Sequence, residues 1–178
     1  MGETRRCRVR YTSQQLPFGY ALTPWVKRLL VANTVAFFLT LIIPVDLIFR
    51  WFAFAPSRVL IQPWSAVTYM FLHGNFWHLF VNMLILFFFG PPLEKTWGSR
   101  EFVKYYLICG LGGAALSFLF VPFWIVGASA ATLGLMLAFA LNWPNAPIYI
   151  WGIFPVKAKW LVGFLRGGSP GSLRRRKW

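Results

Sequence analysis

The residues best suited to chemistry are three polar side chains in one apolar segment and a serine further along the chain. His78 and Asn82 are four residues apart, which places both on one face of a helix, and His73 lies five residues before His78. Ser129 lies in the small-residue stretch 127–131. Polar groups in an apolar helix are costly, so each is a candidate for function. An imidazole there can catalyse or bridge helices, and a serine among small residues can react or simply pack against a neighbour.

The composition favours a membrane protein. Of the 178 residues, 58% are hydrophobic and 12% are charged, whereas soluble domains average about 25% charged. The excess of 18 Lys+Arg over 4 Asp+Glu would suggest nucleic acid in a soluble protein. Here the basic residues lie between apolar runs and near both ends, where membrane orientation signals occur. We therefore expect a lipid bilayer as partner and no nucleic acid, with the basic run 174–177 solvated or near anionic lipid.

The apolar runs predict an all-α membrane protein with four complete transmembrane helices and a partial fifth. The four spans are expected at about 29–45, 75–93, 105–121 and 129–142, and the partial fifth at 160–165. The fourth would cover only about 20 Å of a hydrocarbon core of about 30 Å. It can complete a crossing if the backbone before it is irregular but buried or lining a water-filled cavity. That places Ser129 at a helix start, below the membrane surface and in contact with water.

The same pattern divides the chain into three parts. We expect a basic cytoplasmic N-terminal arm at 1–24, an incomplete membrane domain at 25–165 and a basic low-complexity tail at 166–178. Within the domain, 46–65 is expected to form a structured interfacial loop and 94–104 a short charged turn. Gly112, Gly113 and Gly134 are expected to be close-packing positions.

The basic residues also predict an orientation. Six lie at or before Arg28 and three in the second loop, whereas the third loop has none. Because positively charged loops stay in the cytoplasm, we expect an integral, multi-pass protein with a cytoplasmic N-terminus, in a bacterial inner (plasma) membrane. The oligomeric state is left open.

Three motifs together resemble the rhomboid family of intramembrane serine proteases. The segment 63–83, from Pro63-Trp64-Ser65 through His73 to His78 and Asn82, resembles the rhomboid signature, in which two histidines and an asparagine have this spacing. Residues 94–99 resemble the turn after the second helix of that family, and 127–130 its Gly-x-Ser motif. The resemblance covers about 25–164 and implies a rhomboid-like helical bundle.

The resemblance implies a serine endopeptidase that cleaves transmembrane protein substrates. Ser129 would be the nucleophile, while His78, Asn82 and Gly127, with a backbone N–H near Ser129, would form the oxyanion site. His73 would shape the site entrance. A helix N-terminus offers free N–H groups and a positive dipole end to a developing oxyanion. No spacing suits a metal ion, so we expect neither a metal nor another cofactor.

The sequence departs from the rhomboid pattern after the serine motif. Active rhomboids pair the serine with a histidine on the sixth helix, whereas His73 and His78 both precede Ser129. The sixth helix and most of the fifth are missing, and Ala130 and Ser65 replace the usual Gly and Arg. We therefore expect little or no activity from the chain as given, through a frameshift, an alternative reading frame or a truncated gene model that the encoding DNA would reveal. The alternative is a non-catalytic rhomboid-like protein that binds or escorts transmembrane helices.

Overall fold

The computed structural model describes residues 22–120, 123–144, 146–150 and 154–157. Its helices are α1 (Pro24–Ile42), α2 (Val45–Phe52), α3 (Ser65–Thr68), α4 (Phe76–Trp97), α5 (Ser99–Phe120) and α6 (Ser129–Asn142). Single 3-10 turns lie at Pro56–Arg58 and Tyr69–Phe71. The strands β1 (Pro147–Ile150) and β2 (Phe154–Lys157) follow. The N-terminal arm to residue 21, the partial fifth helix at 160–165 and the tail at 166–178 lie outside the described residues.

The helical membrane fold predicted from the sequence is confirmed in outline. Among the described residues, α1, α4 and α5 are long and apolar enough to cross a membrane. The shorter α6 has the bounds predicted for the fourth span, 129–142, and its crossing stays a prediction. The hairpin was not predicted: β1 and β2 pair antiparallel, with Ile150 opposite Phe154.

Two predicted helix ends are wrong for the same physical reason. Helix α1 begins at Pro24 rather than near residue 29, because the carboxylate of Glu94 accepts bonds from the N–H groups of Trp25 (3.1 Å) and Val26 (3.0 Å). A proline suits the first turn of a helix, where its missing N–H costs nothing. Helix α4 runs on to Trp97, because Glu94 is buried against that helix start and needs no water. The predicted charged turn at 94–104 is therefore helical except at Gly98.

The break between α4 and α5 is confined to Gly98. Its φ of 81° lies in the region that favours glycine. Ser99 opens α5 and donates its hydroxyl to Glu94 at 2.6 Å. The start of α1, the end of α4 and the start of α5 therefore meet at one buried carboxylate.

The interfacial segment 46–65 is structured, as the sequence predicts. It forms α2, a 3-10 turn and the start of α3. Two hydrogen bonds from side chains to backbone carbonyls stabilise it. The indole of Trp64 donates to the carbonyl of Trp51 (2.9 Å), and the hydroxyl of Thr68 donates to that of Phe52 (2.9 Å). Ser65, where rhomboids often have Arg, is buried and donates to the carbonyl of Gln62 at 2.6 Å.

Small residues let α5 and α6 approach closely. A Cβ at Gly113 would collide with the side chain of Ala130, and one at Gly134 would lie 2.8 Å from the Cβ of Cys109. Both positions confirm the close packing predicted for them. Gly112 does not, because a Cβ there would meet nothing within 4 Å. The core between α1, α4, α5 and α6 is filled by large apolar side chains, including Leu86, Leu93, Phe102, Tyr106, Leu135 and Phe139.

Candidate active site

The first turns of α4 position two of the predicted site residues. Asn75 caps this helix, its side-chain oxygen accepting the N–H of His78 at 2.8 Å. One turn further, the amide nitrogen of Asn82 donates to the carbonyl oxygen of His78 at 2.7 Å. His78 is half-buried and Asn82 is buried. Their spacing of four residues places both on one face of α4, as the sequence predicts. His78 meets Gly127, just before α6, and Asn82 meets Thr132 in α6.

Helix α6 begins at Ser129, and no side chain caps it. Its N-cap residue is Ala128, and Thr132 donates the N–H that bonds back to the Ala128 carbonyl, at 2.9 Å. The N–H groups of the three residues before Thr132 precede the regular helical bonds, as at any helix start. Ser129 is exposed, whereas Ala128 is buried beneath it. Ser129 thus lies as an exposed residue at the positive end of the α6 dipole.

Gly127 brings the α6 start against the imidazole of His78. It has a φ of 114°, and a Cβ there would lie 2.6 Å from Nε2 of His78 and closer still to Cε1. Its backbone N–H donates to the carbonyl of Tyr69 at 2.9 Å. This N–H is therefore already bonded, and the place of Gly127 in an oxyanion site stays a prediction. Gly127 supplies a left-handed backbone and room for the ring.

A second contact joins α4 and α6 just beyond Ser129. The hydroxyl of Thr132 lies 2.8 Å from the side-chain oxygen of Asn82, and Thr132 is only 1% exposed. Ser129 therefore lies between two contacts with α4, Gly127 against His78 before it and Thr132 against Asn82 after it. Sequence reasoning missed Thr132, although its position three residues after the serine placed it within one helical turn.

The segment before α6 is held by the interfacial segment. Phe54 and Ile125 exchange two backbone hydrogen bonds, of 3.2 and 2.8 Å. The guanidinium carbon of Arg58 lies 5.3 Å from the ring centroid of Trp124, within the range of a cation–π contact. Tyr69 accepts the Gly127 N–H while its own hydroxyl donates to the Gly110 carbonyl of α5 at 2.6 Å. These tertiary contacts fix the approach to Ser129 from one side.

His73 is buried against the ring of His78, and its role in shaping the site entrance stays a prediction. It is 2% exposed, and the two ring centroids are 5.1 Å apart in an edge-to-face arrangement. Neither ring nitrogen of His73 has a hydrogen-bond partner among the described residues. Burial first, and then the neighbouring His78, lower the pKa of His73 from its ordinary value to about 4. His73 is therefore neutral at physiological pH and packs as a flat, uncharged ring.

Comparison with known proteins gives the family. A family model described as the Rhomboid domain matches residues 61–168, more than half of the chain. The chain belongs to the rhomboid family.

Individual relatives agree with this assignment. The chain is 39% identical over 105 residues to RHOMBOID-like protein 6, mitochondrial, of Arabidopsis thaliana, covering 58% of this chain and 33% of that protein. It is 34% identical over 85 residues to Rhomboid-like protease 3 of Toxoplasma gondii, covering 47% and 32%. It is 38% identical over 71 residues to Rhomboid protease GluP of Bacillus subtilis, covering 40% and 14%. The chain thus spans about a third or less of the length of these relatives.

The relatives bear on the predicted location as well. They come from a plant, a protozoan and a bacterium, and the plant protein is named as mitochondrial. A multi-pass membrane protein is supported by the family and by the apolar helices. The expectation of a bacterial inner membrane is not supported and is withdrawn.

Proposed function

We propose that Ser129 is the nucleophile of a rhomboid-type serine endopeptidase site that acts on transmembrane protein substrates. The observation that carries the proposal is that α4 meets Gly127 through His78 and Thr132 through Asn82, on either side of Ser129. These contacts hold an imidazole and a carboxamide next to the free N–H groups of a helix start. Such donors can stabilise the negative charge that develops on a peptide carbonyl oxygen when a hydroxyl attacks its carbon.

Each site residue has a distinct role in this proposal. The Ser129 hydroxyl attacks the scissile carbonyl carbon. His78, Asn82 and the first-turn N–H groups of α6 donate to the resulting oxyanion. His73 keeps the His78 ring in place from behind. Removing one donor of this kind typically costs about 2.7–4 kcal/mol of transition-state stabilisation.

A serine hydroxyl also needs a base to remove its proton. Both histidines of the sequence precede Ser129, and both have other roles in this proposal. We therefore infer that the 178-residue chain by itself reacts slowly at Ser129, and that an added base restores part of the reaction.

Chemical rescue by imidazole tests this inference. The purified chain in detergent is treated with a serine-directed phosphonate, with and without free imidazole, and the modified residue is located by mass spectrometry. We expect weak labelling alone and faster labelling as the concentration of neutral imidazole rises. Ser129→Ala should abolish the labelling. Ser117→Ala, which changes a buried serine bonded to the Ala114 carbonyl in α5, should leave it unchanged.

Two outcomes would contradict the proposal. Strong labelling that does not depend on imidazole would make His78 the base rather than an oxyanion donor. Absence of labelling at every imidazole concentration, in a folded protein, would remove Ser129 as a nucleophile.

The second candidate function is a rhomboid-like protein that binds or escorts transmembrane helices without cleaving them. It is favoured by the position of both histidines before the serine. Crosslinking to a co-expressed transmembrane segment discriminates the two functions. A binder should capture that segment equally well with Ser129 or Ala at position 129, and no cleavage product should form.

We also propose that the N-terminus lies in the cytoplasm, from the six basic residues at or before Arg28. A membrane-impermeant thiol reagent tests this through Cys7, in a Cys109→Ala background. Labelling of Cys7 only after the membrane is opened supports the orientation, and labelling in intact cells contradicts it.

A further inference from the structure

Thr132 is a buried hydroxyl in the first turn of α6, at the contact between the nucleophile helix and Asn82 of α4. The oxygen lies 2.8 Å from Oδ1 of Asn82 and 3.1 Å from the carbonyl oxygen of Ser129. A threonine within a helix ordinarily bonds back to a carbonyl of its own preceding turn. Here a closer acceptor from another helix competes for its single proton.

The direction of the hydrogen bond between Thr132 and Asn82 follows from which groups can donate and which can only accept. The carbonyl oxygen of His78, 2.7 Å from the side chain of Asn82, can only accept. The amino group of the Asn82 amide must therefore face His78, and its oxygen must face Thr132. An amide oxygen also only accepts, so Thr132 has to be the donor.

These two bonds fix the plane of the Asn82 amide. One of its two N–H bonds is taken by the His78 carbonyl, and the second has no acceptor among the described residues. The amide group is planar and its amino group does not rotate about the C–N bond. The direction of the second N–H is therefore also set. Without the Thr132 hydroxyl, the amide oxygen would be buried without a partner, and the amide would be held only by its bond to the His78 carbonyl.

We propose that Thr132 is a positioning residue of the oxyanion site. Its hydroxyl holds the Asn82 amide so that an N–H, rather than the amide oxygen, remains for the oxyanion of a tetrahedral intermediate formed at a peptide carbonyl. The identity of that oxyanion rests on the function proposed above, whereas the orientation of the amide does not. Thr132 links this orientation to the nucleophile because it lies one turn after Ser129 on the same helix.

Hydrogen exchange of the Asn82 side chain measures the orientation without any catalysis. The side-chain amide is observed by nitrogen-15 NMR in detergent for the wild type and for Thr132→Val and Thr132→Ser. The Asn82 proton bonded to the His78 carbonyl should exchange about tenfold faster in T132V, the factor expected when a hydrogen bond is lost. T132S retains the hydroxyl and should exchange at the wild-type rate.

The matched control is Thr40→Val. Thr40 lies in α1 and donates to the Phe37 carbonyl at 2.6 Å, so T40V removes a similar hydroxyl far from the site in sequence. It should leave the Asn82 signals unchanged. Should T132V fail to fold, Thr132→Ala removes the same hydroxyl without placing a methyl against Asn82, and it carries the same expectation.

The functional consequence has its own readout. Imidazole-rescued labelling of Ser129 should slow by about tenfold or more in T132V and T132A, since a donor is misdirected, and should recover in T132S. Equal Asn82 exchange in T132V, T132A and T132S would overturn the inference even if Ser129 is labelled. Loss of protection at Asn82 with no labelling of Ser129 in any variant would refute the proposed function and leave the orienting role of Thr132 standing.

Discussion

Replacing Gly127 with alanine tests the contact on which the site depends. The residue has a φ of 114°, where a side chain is strained, and its Cβ would lie 2.6 Å from Nε2 of His78. Backbone strain of this kind costs about 1–3 kcal/mol. Forcing an extra methyl into a packed site costs typically about 1–3 kcal/mol more.

The His78 ring is half-buried and can swing aside, so the steric cost should lie near the lower end of its range. We expect Gly127→Ala to lower the free energy of unfolding by about 2–4 kcal/mol. That is a large share of the stability of an ordinary domain, about 5–15 kcal/mol. In the fraction of Gly127→Ala protein that folds, the His78 ring should be displaced. Imidazole-rescued labelling of Ser129 should then be lost as well.

The assay is equilibrium unfolding with sodium dodecyl sulfate in mixed micelles, followed by tryptophan fluorescence. Gly112→Ala is the matched control, because it adds the same methyl to an exposed site in α5 where nothing lies within 4 Å. Alanine is the better helix former by up to about 1 kcal/mol, so this control should be unchanged or slightly stabilised. A G127A protein as stable as G112A would refute the reasoning about the Gly127–His78 contact.

Glu94→Gln should destabilise the protein by about 3 kcal/mol in the same titration, because it turns an acceptor oxygen into an amino group facing backbone donors at the start of α1. Glu101→Gln, which removes an exposed ion pair with Lys104, should leave stability unchanged, and an equal effect of the two would contradict the role of Glu94. The free energy of unfolding should also fall as the pH drops from about 6.5 toward 4. In this range His73 is protonated in the unfolded chain but stays neutral in the folded protein, because its folded pKa is about 4. His73→Phe should flatten that dependence, and an unchanged pH profile in H73F would show that His73 does not cause it.

Local signals were enough to predict the bounds of α6 and the shared helix face of His78 and Asn82. Small residues precede Ser129 and a polar, proline-containing stretch follows Asn142, so both ends of this helix are marked in the chain itself. The spacing of His78 and Asn82 sets a shared helix face without any knowledge of the neighbour. These features depend only on residues within a turn or two of each other.

The features that were not predicted depend on partners distant in the chain. In the sequence, the charge of Glu94 marks the end of an apolar run. In the fold, a backbone N–H at the start of α1, 68 residues away, bonds its carboxylate, so that the charge can be buried. The N–H of Gly127 looks free in the sequence, but the Tyr69 carbonyl accepts it. Gly112 and Gly113 are adjacent, and only the rotation of α5 against α6 decides which of them packs closely. No local pattern contains that information.

The most direct measurement is a structure of the phosphonate adduct formed in the presence of imidazole. We expect the phosphorus on the Ser129 oxygen, with the phosphonyl oxygen about 2.7–3.1 Å from the Asn82 amide nitrogen and within reach of His78. A phosphonyl oxygen directed away from α4, or an adduct on a different hydroxyl, would contradict the proposed site.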